Sequence, residues 1–531
     1  MTDLTVEVYD TTLRDGAQQE GMNLSVADKM AIAPLLDELG VGVIEGGWPG
    51  AVPKDTEFFA LAAKELTFRN AQLAAFGMTR KAGSTAAADP QVRALLDSEA
   101  PIITLVCKSD IRHAERALRV EADENLRMIE ETVAFLVGEG RRVIMDAEHF
   151  FDGYEFDADY SLRALQAGVS GGASTLCLCD TNGGMLPDDV ARIVAQVAAQ
   201  VSAPLGMHAH NDSGCAVANS MAAVAAGATH VQGCVNGYGE RTGNADLIAI
   251  VANLELKRGV SALKADGLAE STRISHAVAE ITNIAPFARQ PYVGASAFAH
   301  KAGLHASAIR VDPDLYQHLD PALVGNDMRM LVSEMAGRAS IELKGKELGF
   351  DLAGQNELLG RVTERVKHAE AAGYTFDAAD ASFELLLRSE LGESPAYWDV
   401  ETWRVRVSSK PGDPTDADAE AIVKLRTNGS RYVTVGEGNG PVNALDHALR
   451  TALTGAYPEI EDFELTDFKV RIMEASHGTD ATTRVLITTV HRETGETWRT
   501  VGVGPNIIEA SWEALADSLV YGLLKADVAP R

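Results

Sequence analysis

Short apolar segments rich in β-branched residues recur through the first half of the chain, and each is followed by a segment with helical periodicity. A short apolar run bounded by turn residues predicts a buried strand, whereas apolar residues repeating every three to four positions predict a helix. Eight strand–helix alternations within about 250 residues favour a (β/α)₈ TIM barrel over a doubly wound open sheet, which gives no reason for eight units. The predicted strands begin near Val6, Val41, Gln72, Ile102, Arg142, Thr175, Leu205 and His230.

The segment from Ser25 to Leu39 illustrates the predicted helices. Ser25 and Asp28 have the spacing of a capping box, in which each side chain bonds the backbone N–H of the other residue. Apolar residues then recur at helical spacing, and Gly40 predicts the end of the helix, because glycine readily adopts the left-handed conformation found there. Residues 123–137 and 187–201 follow the same pattern.

The C-terminal part of the chain contains an internal repeat with an offset of 66 residues. The run Thr434–Gly438 recurs as Thr500–Gly504, and the alanines and leucines that follow recur at the same offset. Each copy has three strand-like segments, a glycine turn and a helix, which predicts a pseudo-symmetric pair of βββα units. We therefore expect a barrel at 1–275, mostly helical linker subdomains at 276–395, and a βββα-repeat domain at 396–531.

Polar residues close at least six of the predicted strands. In a parallel barrel these strand ends converge on one mouth, where the active sites of such folds lie. The apolar strand after Ala203 ends in His208 and His210, and residues two apart in a strand point to the same face. Two imidazoles placed in this way can chelate one metal ion, and two hydrogen-bonded core histidines are the alternative.

Two residues from other strand ends can complete such a site. Asp15 follows the first strand and offers a carboxylate, while Asn244 follows the eighth and offers a carbonyl oxygen. An open set of oxygen and nitrogen ligands suits catalytic Zn²⁺ or Mn²⁺ better than a closed structural site.

The composition restricts the partners and the compartment. The chain has 531 residues, with 47 basic and 76 acidic side chains, and its net charge of −29 repels nucleic acid and anionic membrane. The five cysteines show no paired spacing, which argues against a disulfide framework. The sequence shows neither a signal peptide nor an apolar run of membrane-spanning length, so we expect a cytoplasmic protein with no nucleic-acid or membrane partner.

Three separated motifs resemble those of the DRE-TIM metallolyase superfamily, in particular its condensing branch of isopropylmalate, homocitrate and citramalate synthases. The motifs are Asp10–Gly16 with Gln18, His208–Asp212, and Gly237–Asn244. Two softer motifs, Glu45–Gly50 and Ala147–Gly153, are most similar to the citramalate synthases. The resemblance covers nearly the whole chain.

The resemblance implies a Claisen condensation of a 2-oxo acid, foremost pyruvate, with acetyl-CoA and water to give (R)-citramalate and CoA. It also implies that Asp15, His208 and His210 hold a divalent metal (Zn²⁺, Mn²⁺ or Mg²⁺), with Asn244 as a nearby or additional ligand. The oxo acid would chelate this metal through its carboxylate and keto oxygens.

The resemblance further assigns roles around the metal. Arg14 would stabilise the developing alkoxide, and Thr181 would orient the carboxylate of the oxo acid. Glu148 would transfer a proton, directly or through water, and a structural glutamate is the alternative. The glycine loop that contains Gly237 and Gly239 would let CoA approach the backbone, and Arg241 would be a partner for its phosphates. A purely structural turn is the alternative.

Beyond the barrel, His305 and Tyr316 match residues that reach the active site of the neighbouring subunit in the synthases, which implies a homodimer or higher homo-oligomer. Because their spacing is shorter than in isopropylmalate synthases, it is open whether a helical insert lies between them.

The C-terminal repeat resembles the allosteric dimerisation domain of the synthases. Feedback by isoleucine is the leading expectation, because citramalate feeds isoleucine synthesis, and the turns at Gly436–Gly440 and Gly502–Gly504 offer backbone donors near helix N-termini. A dimerisation platform without a ligand pocket is the alternative.

Other functions remain open. Isopropylmalate or homocitrate synthesis would differ only in the oxo acid. A hydroxymethylglutaryl-CoA-type lyase or an aldolase would share the metal site, but would not account for His305, Tyr316 or the C-terminal repeat. A noncatalytic sensor is disfavoured, because the expected ligands and Arg14 are all present.

Overall fold

The computed structural model describes residues 4–264, 267–409, 417–473 and 481–531. Its contacts divide the chain into two compact units. One contains the described residues up to Phe298 together with Leu319–Asp327, and the other contains Ala299–His318 and the described residues from Met328 onward. The domain boundaries expected near residues 275 and 395 stay a prediction.

The first unit is built on a closed barrel of eight parallel strands, so the predicted fold class is confirmed. The barrel closes where β1 pairs with β8 in parallel register, and each predicted strand start lies within two residues of the observed one. The strands are β1 Glu7–Asp10, β2 Val43–Gly47, β3 Gln72–Met78, β4 Ile102–Lys108, β5 Arg142–Glu148, β6 Thr175–Asp180, β7 Leu205–Ala209 and β8 His230–Gly233.

Helices follow the strands along the chain. The first has the predicted capping box between Ser25 and Asp28, and it ends at Gly40, whose φ of 92° is left-handed. The helices of this unit are α1 Val26–Leu39, α2 Pro53–Glu65, α3 Pro90–Asp97, α4 Ile111–His113, α5 Ala122–Gly138, α6 Phe150–Phe156, α7 Ala158–Gly171, α8 Pro187–Ala198, α9 Ala216–Ala225, α10 Leu247–Ala252 and α11 Ser271–Thr282.

The barrel interior changes from apolar to polar towards the mouth. One buried apolar cluster consists of Tyr9, Val43, Ala74, Ile102 and Ile144. Two positions further along their strands, and on β7 and β8, lie buried polar residues that share the same interior face because side chains alternate along a strand. This polar layer consists of Glu45, Thr104, Asp146, His208 and Gln232.

The second unit contains the repeat predicted from the sequence. Its two antiparallel three-stranded sheets have the order β11-β12-β13 and β14-β15-β16, and a helix follows each. Equivalent threonines bond equivalent backbone carbonyls: Thr434 Oγ1 donates to Ala448 O at 2.8 Å, and Thr500 Oγ1 to Ala514 O at 2.7 Å. The elements are β9 Ala299–His300, α12 Gly303–Ile309, β10 Arg329–Met330, α13 Arg338–Glu347, α14 Asn356–Ala371, α15 Asp380–Leu391, β11 Asp399–Ser409, β12 Ala417–Thr427, β13 Ser430–Gly438, α16 Pro441–Leu453, β14 Phe463–Ile472, β15 Thr483–His491, β16 Thr497–Gly504 and α17 Ile507–Lys525.

Across the described ranges, every helix is too short or too polar to cross a bilayer.

Candidate active site

The two histidines at the end of β7 and the aspartate after β1 come together at the barrel mouth. Asp15 Oδ2 lies 3.2 Å from His208 Nε2 and 3.8 Å from His210 Nε2. All three side chains are buried, and their ligand atoms lie within 4.8 Å of one another. One carboxylate and two imidazoles in this arrangement fit a divalent metal ion with positions left open for substrate.

Two unpartnered atoms beside this cluster strengthen the fit. Asn244 donates its side-chain N–H to Tyr238 O at 3.1 Å, while its buried Oδ1 has no hydrogen-bond partner among the described residues. His210 Nδ1 is likewise buried and unpartnered within the described chain. Buried polar atoms nearly always have partners. Because Asn244 forms a backbone bridge with His210, its orphaned carbonyl oxygen is available as a further ligand for a cation in this cluster.

The charges of the cluster are strongly coupled. Burial alone would raise the pKa of Asp15, but Arg14 and the two histidines outweigh it and hold that pKa well below the usual range. Burial and the neighbouring His208 lower the pKa of His210 to about 4. This histidine is therefore a neutral imidazole at neutral pH, the form that binds metals.

Arg14 is held in place from three directions. Its Nε donates to Glu45 Oε2 at 2.6 Å, and its guanidinium lies 3.8 Å above the centre of the Phe76 ring. Its Nη1 lies 3.5 Å from Asp15 Oδ2. Glu45 is itself fully buried and accepts a hydrogen bond from the Tyr9 hydroxyl at 2.8 Å. The guanidinium is thus fixed beside the metal-ligand cluster before any substrate binds.

Glu148 ends β5 and forms an ion pair with Lys108, its cross-strand partner on β4. Both residues line a cavity of about 390 Å³ at the barrel mouth, together with Arg14, Asp15 and Thr181. Sequence reasoning missed Lys108, although the polar-strand-end pattern that found Glu148 also applies to the end of β4. The cavity thus has an acid–base pair on the wall formed by β4 and β5.

Thr181 follows β6, the neighbour of β5, and the glycine loop follows β8. Thr181 Oγ1 accepts the backbone N–H of His149 at 2.9 Å, so its own hydrogen is available for donation. Arg241 donates to both carboxylate oxygens of Asp212, at 2.8 and 2.9 Å. A Cβ on Gly239 would lie 2.3 Å from Asn244 Nδ2, so only glycine allows the loop to pack against that asparagine.

His305 and Tyr316 belong to the second unit. Their rings stack with centroids 4.1 Å apart, and the Tyr316 side chain is exposed. The structure therefore brings these two predicted residues together, and it brings the metal-ligand cluster, Arg14, Glu148 and Thr181 together around the barrel mouth.

A second cluster of potential ligands lies in the barrel wall. Asp146, Cys177 and Cys179 have ligand atoms within 4.8 Å of one another. Burial and nearby Glu45 raise the pKa of Asp146 to about 7, and burial raises the pKa of the Cys177 thiol well above its ordinary value. The pKa of the Cys179 thiol is raised as well, and two buried, un-ionised thiols pack as small apolar side chains.

Three family models match successive parts of the chain. Residues 5–277 match the HMGL-like model, residues 292–373 match the homocitrate synthase post-HMGL domain-like model, and residues 377–523 match the LeuA allosteric (dimerisation) domain. The fold and the site thus define the class of this protein: an HMGL-like TIM-barrel enzyme with an appended allosteric domain.

Full-length relatives identify the family. The chain is 61% identical to an (R)-citramalate synthase of Streptomyces coelicolor, with 99% of this chain and 98% of that protein aligned. It is 46% identical to the (R)-citramalate synthase of Aquifex aeolicus over 98% of both chains, and 45% identical to that of Synechocystis sp. over 97% of this chain and 96% of the relative. The chain belongs to the (R)-citramalate synthase family, whose members are transferases.

Proposed function

We propose that this chain condenses acetyl-CoA with pyruvate and water to form (R)-citramalate and CoA. The observation that carries the proposal is its similarity to (R)-citramalate synthases along 99% of the chain. The mouth cavity supports it, because polar groups and apolar side chains both line it, and the apolar ones suit the methyl group of pyruvate. These apolar residues are Trp48, Phe76, Met78 and Val106.

Asp15, His208 and His210 hold a divalent cation in this proposal, with Asn244 as an additional oxygen ligand. Their buried, closely spaced ligand atoms and the orphaned Asn244 Oδ1 support this assignment. A divalent cation bound there would polarise the keto carbonyl of the oxo acid as a Lewis acid. The mixed donor set suits Zn²⁺ or Mn²⁺ better than Mg²⁺, which prefers oxygen ligands.

Arg14 stabilises the negative charge that develops on the keto oxygen. Its support is the fixed position of the guanidinium, bonded to Glu45 and stacked on Phe76. A donor that is oriented before the reaction contributes about 3–4 kcal/mol to the transition state, because it need not reorganise. Thr181 is available to donate its hydroxyl hydrogen to the carboxylate of the oxo acid.

Glu148 accepts a methyl proton from acetyl-CoA, directly or through water, while Lys108 orients its carboxylate. The methyl carbon then forms a bond to the keto carbon, and the keto oxygen takes a proton to become the tertiary hydroxyl. Water cleaves the thioester and releases CoA as the free thiol. The position of Glu148 at the end of β5, lining the cavity beside Thr181 and Arg14, supports this role.

The loop with Gly237 and Gly239 provides the surface along which CoA enters, and Arg241 braces this loop. Both glycines have positive φ angles, of 65° and 148°, which L-residues rarely adopt. The brace is the double hydrogen bond from Arg241 to Asp212. Because its guanidinium is already bonded to Asp212, Arg241 holds the loop in shape in this proposal and does not bind a phosphate of CoA.

Thiol release from acetyl-CoA across a panel of 2-oxo acids tests the proposed function. Pyruvate should exceed 2-oxoisovalerate and 2-oxoglutarate in kcat/KM by roughly 10–200-fold, the range that small changes in substrate size afford. Chiral chromatography should identify the product as (R)-citramalate. Preference for another oxo acid would overturn the pyruvate assignment, and cleavage of hydroxymethylglutaryl-CoA without condensation would favour the lyase alternative.

His305 and Tyr316 complete the active site of the partner subunit in a homodimer. The match to a dimerisation domain and the exposed apolar strand residues of the second unit support the dimer; these residues are Val433, Val435, Val470 and Ile472. If the assignment is correct, mixing inactive His305→Ala with inactive Arg14→Ala should restore activity, because heterodimers then contain one intact site. No recovery after confirmed subunit exchange would contradict it.

Isoleucine inhibits the enzyme through the C-terminal domain. A cavity of about 750 Å³ lies at the first glycine turn, next to Asn439 and Gly440. It combines arginines for a carboxylate, acidic groups for an ammonium and apolar groups for an aliphatic side chain. The lining residues include Arg450, Arg492, Asp446, Glu464, Val442 and Ile460.

Calorimetry on the full chain tests this effector. Isoleucine should bind and should inhibit thiol release, and Arg492→Gln should weaken both effects at least about tenfold by removing a charged partner of the carboxylate. Arg499→Gln, on β16, is the matched control. No binding of isoleucine, leucine or valine to the full chain would leave the domain as a dimerisation platform.

A further inference from the structure

A buried glutamine lies directly beneath the metal-ligand cluster. Gln232 on β8 has no solvent exposure. Its Nε2 lies 2.8 Å from Asp146 Oδ1 and 3.4 Å from His230 Nε2, and its Oε1 lies 2.9 Å from His208 Nδ1. Every polar atom of this side chain therefore has a protein partner.

The partners permit only one orientation of the amide when Asp146 is ionised. An ionised carboxylate oxygen accepts hydrogen bonds and cannot donate them, so Asp146 Oδ1 must face the amide nitrogen of Gln232. His230 Nδ1 lies 2.9 Å from Glu7 Oε2, another acceptor, so this nitrogen carries hydrogen and His230 Nε2 is left as an acceptor. Both hydrogens of the Gln232 amide are thus directed away from the mouth.

The amide oxygen of Gln232 must then accept from His208. In the neutral, metal-binding form of His208, this contact puts the ring hydrogen on Nδ1 and leaves the lone pair on Nε2, the nitrogen that faces Asp15. A metal binds the unprotonated nitrogen of a neutral imidazole, and the partner of the other nitrogen fixes its tautomer and orientation. His210 has no such partner at its Nδ1 within the described chain.

We propose that Gln232, anchored by Asp146 and His230, is a positioning residue that presets His208 as the oriented imidazole ligand of the metal cluster. The inference rests on the proposed metal site. In this proposal the buried polar layer of the barrel orients a metal ligand at the mouth, and Asp146 acts by holding Gln232 in place.

Mn²⁺ titration of the full chain, with free Mn²⁺ counted by electron paramagnetic resonance, tests the inference without any substrate. Gln232→Leu keeps the approximate size of the side chain but removes the acceptor, so the Kd for Mn²⁺ should rise about 10–100-fold, as for other outer partners of metal ligands. Asn219→Leu removes another fully buried amide, on α9, whose Nδ2 donates to Met185 O, and should leave the Kd within about twofold.

A polarity swap separates orientation from packing. In the double variant Asp146→Asn/Gln232→Glu, the new amide donates to the new carboxylate, which still accepts from His208 Nδ1. His230 Nε2 takes up a proton there and donates to this carboxylate instead of accepting. Its Kd for Mn²⁺ should return to within about threefold of the wild-type value, because the acceptor is restored with little change in shape.

The outcomes also distinguish failure of the metal site itself. If the wild type binds one Mn²⁺ that His210→Ala loses, but Gln232→Leu binds it unchanged, the positioning role is wrong and the metal site stands. If the swapped double variant stays as weak as Gln232→Leu, the loss reflects packing and the inference is overturned. No Mn²⁺ binding by the wild type would remove both proposals.

Discussion

The two ends of the barrel use the same residue types in different ways. At the amino-terminal end, Glu7 accepts two hydrogen bonds from Arg142, at 2.6 and 2.5 Å, and a third from His230 at 2.9 Å. At the mouth, Asn244 Oδ1 and His210 Nδ1 are buried without a partner among the described residues. A network whose members satisfy one another stabilises the fold, whereas orphaned polar atoms at the carboxyl ends of strands mark a site for a ligand.

Carboxylates at different depths of the barrel show the same contrast. Burial alone would raise the pKa of Glu7, but hydrogen bonds and charges from His230 and Arg142 outweigh it and hold that pKa well below its ordinary value of 4.5. Asp146 is buried beside Glu45, and its pKa is raised to about 7. At Glu7 the cationic hydrogen-bond partners outweigh the effect of burial on the pKa, whereas at Asp146 burial and the neighbouring Glu45 dominate.

The largest effect should follow substitution of the mouth histidines. His208→Ala or His210→Ala should lower metal affinity more than about a hundredfold, beyond the 10–100-fold typical of outer partners, and activity should fall with it. The barrel should stay folded, because neither side chain is a major part of its apolar core. Elemental analysis and circular dichroism measure the two effects, with His276→Ala on α11 as the matched control. Full metal occupancy in both mouth variants would exclude the proposed site.

Glu148→Gln should have the next largest effect, lowering kcat by about 10²–10⁴-fold with a much smaller change in KM. The reason is that a group that transfers a proton acts mainly in the transition state. Steady-state thiol release gives both constants, and Glu139→Gln at the end of α5 is a matched control. A kcat equal to that of the wild type would reduce Glu148 to a structural role.

Glu7→Gln tests the amino-terminal end and should cost about 1–3 kcal/mol of stability at pH 7, the range for hydrogen bonds to charged groups. Unfolding takes up a proton at Glu7 once the pH falls towards 4.5, so the stabilisation is present above that pH and is lost below it. The Tm difference between wild type and variant should therefore narrow from pH 7 to pH 4. A difference that stays constant over this range would contradict the ion-pair explanation.

Substitution of Arg241 should have the smallest effect. Its side chain is 41% exposed, and an exposed ion pair contributes about 0.2–1 kcal/mol. If Arg241 braces the loop through its two bonds to Asp212, Arg241→Lys and Arg241→Gln should raise the KM for acetyl-CoA to the same small extent. Rescue by lysine alone would instead identify Arg241 as a phosphate partner, because lysine keeps the charge and loses the paired geometry.

The periodic features of this chain were predictable from the sequence. The start of each barrel strand, the capping box of α1 and both βββα copies were predicted, because each depends on residues close together in the sequence. The pairing of His208 with His210 belongs to the same class, since two positions along one strand always share a face. Lys108 was within reach of the same reasoning, because it ends β4 as Glu148 ends β5.

The partners of these residues depend on the closure of the barrel. Glu45 holds Arg14 because β1 and β2 are neighbours, and Gln232 lies between His208 and Asp146 because β7 pairs with β8 and the interior side chains of β5 point to the same axis. No local pattern identifies these contacts, since residues 24 or 86 positions apart meet only in the folded chain. The sequence by itself determined which strands end in chemically active groups. Only the tertiary structure decided which atoms of those groups face one another, because a hydrogen bond forms or fails on differences in distance of a few tenths of an ångström.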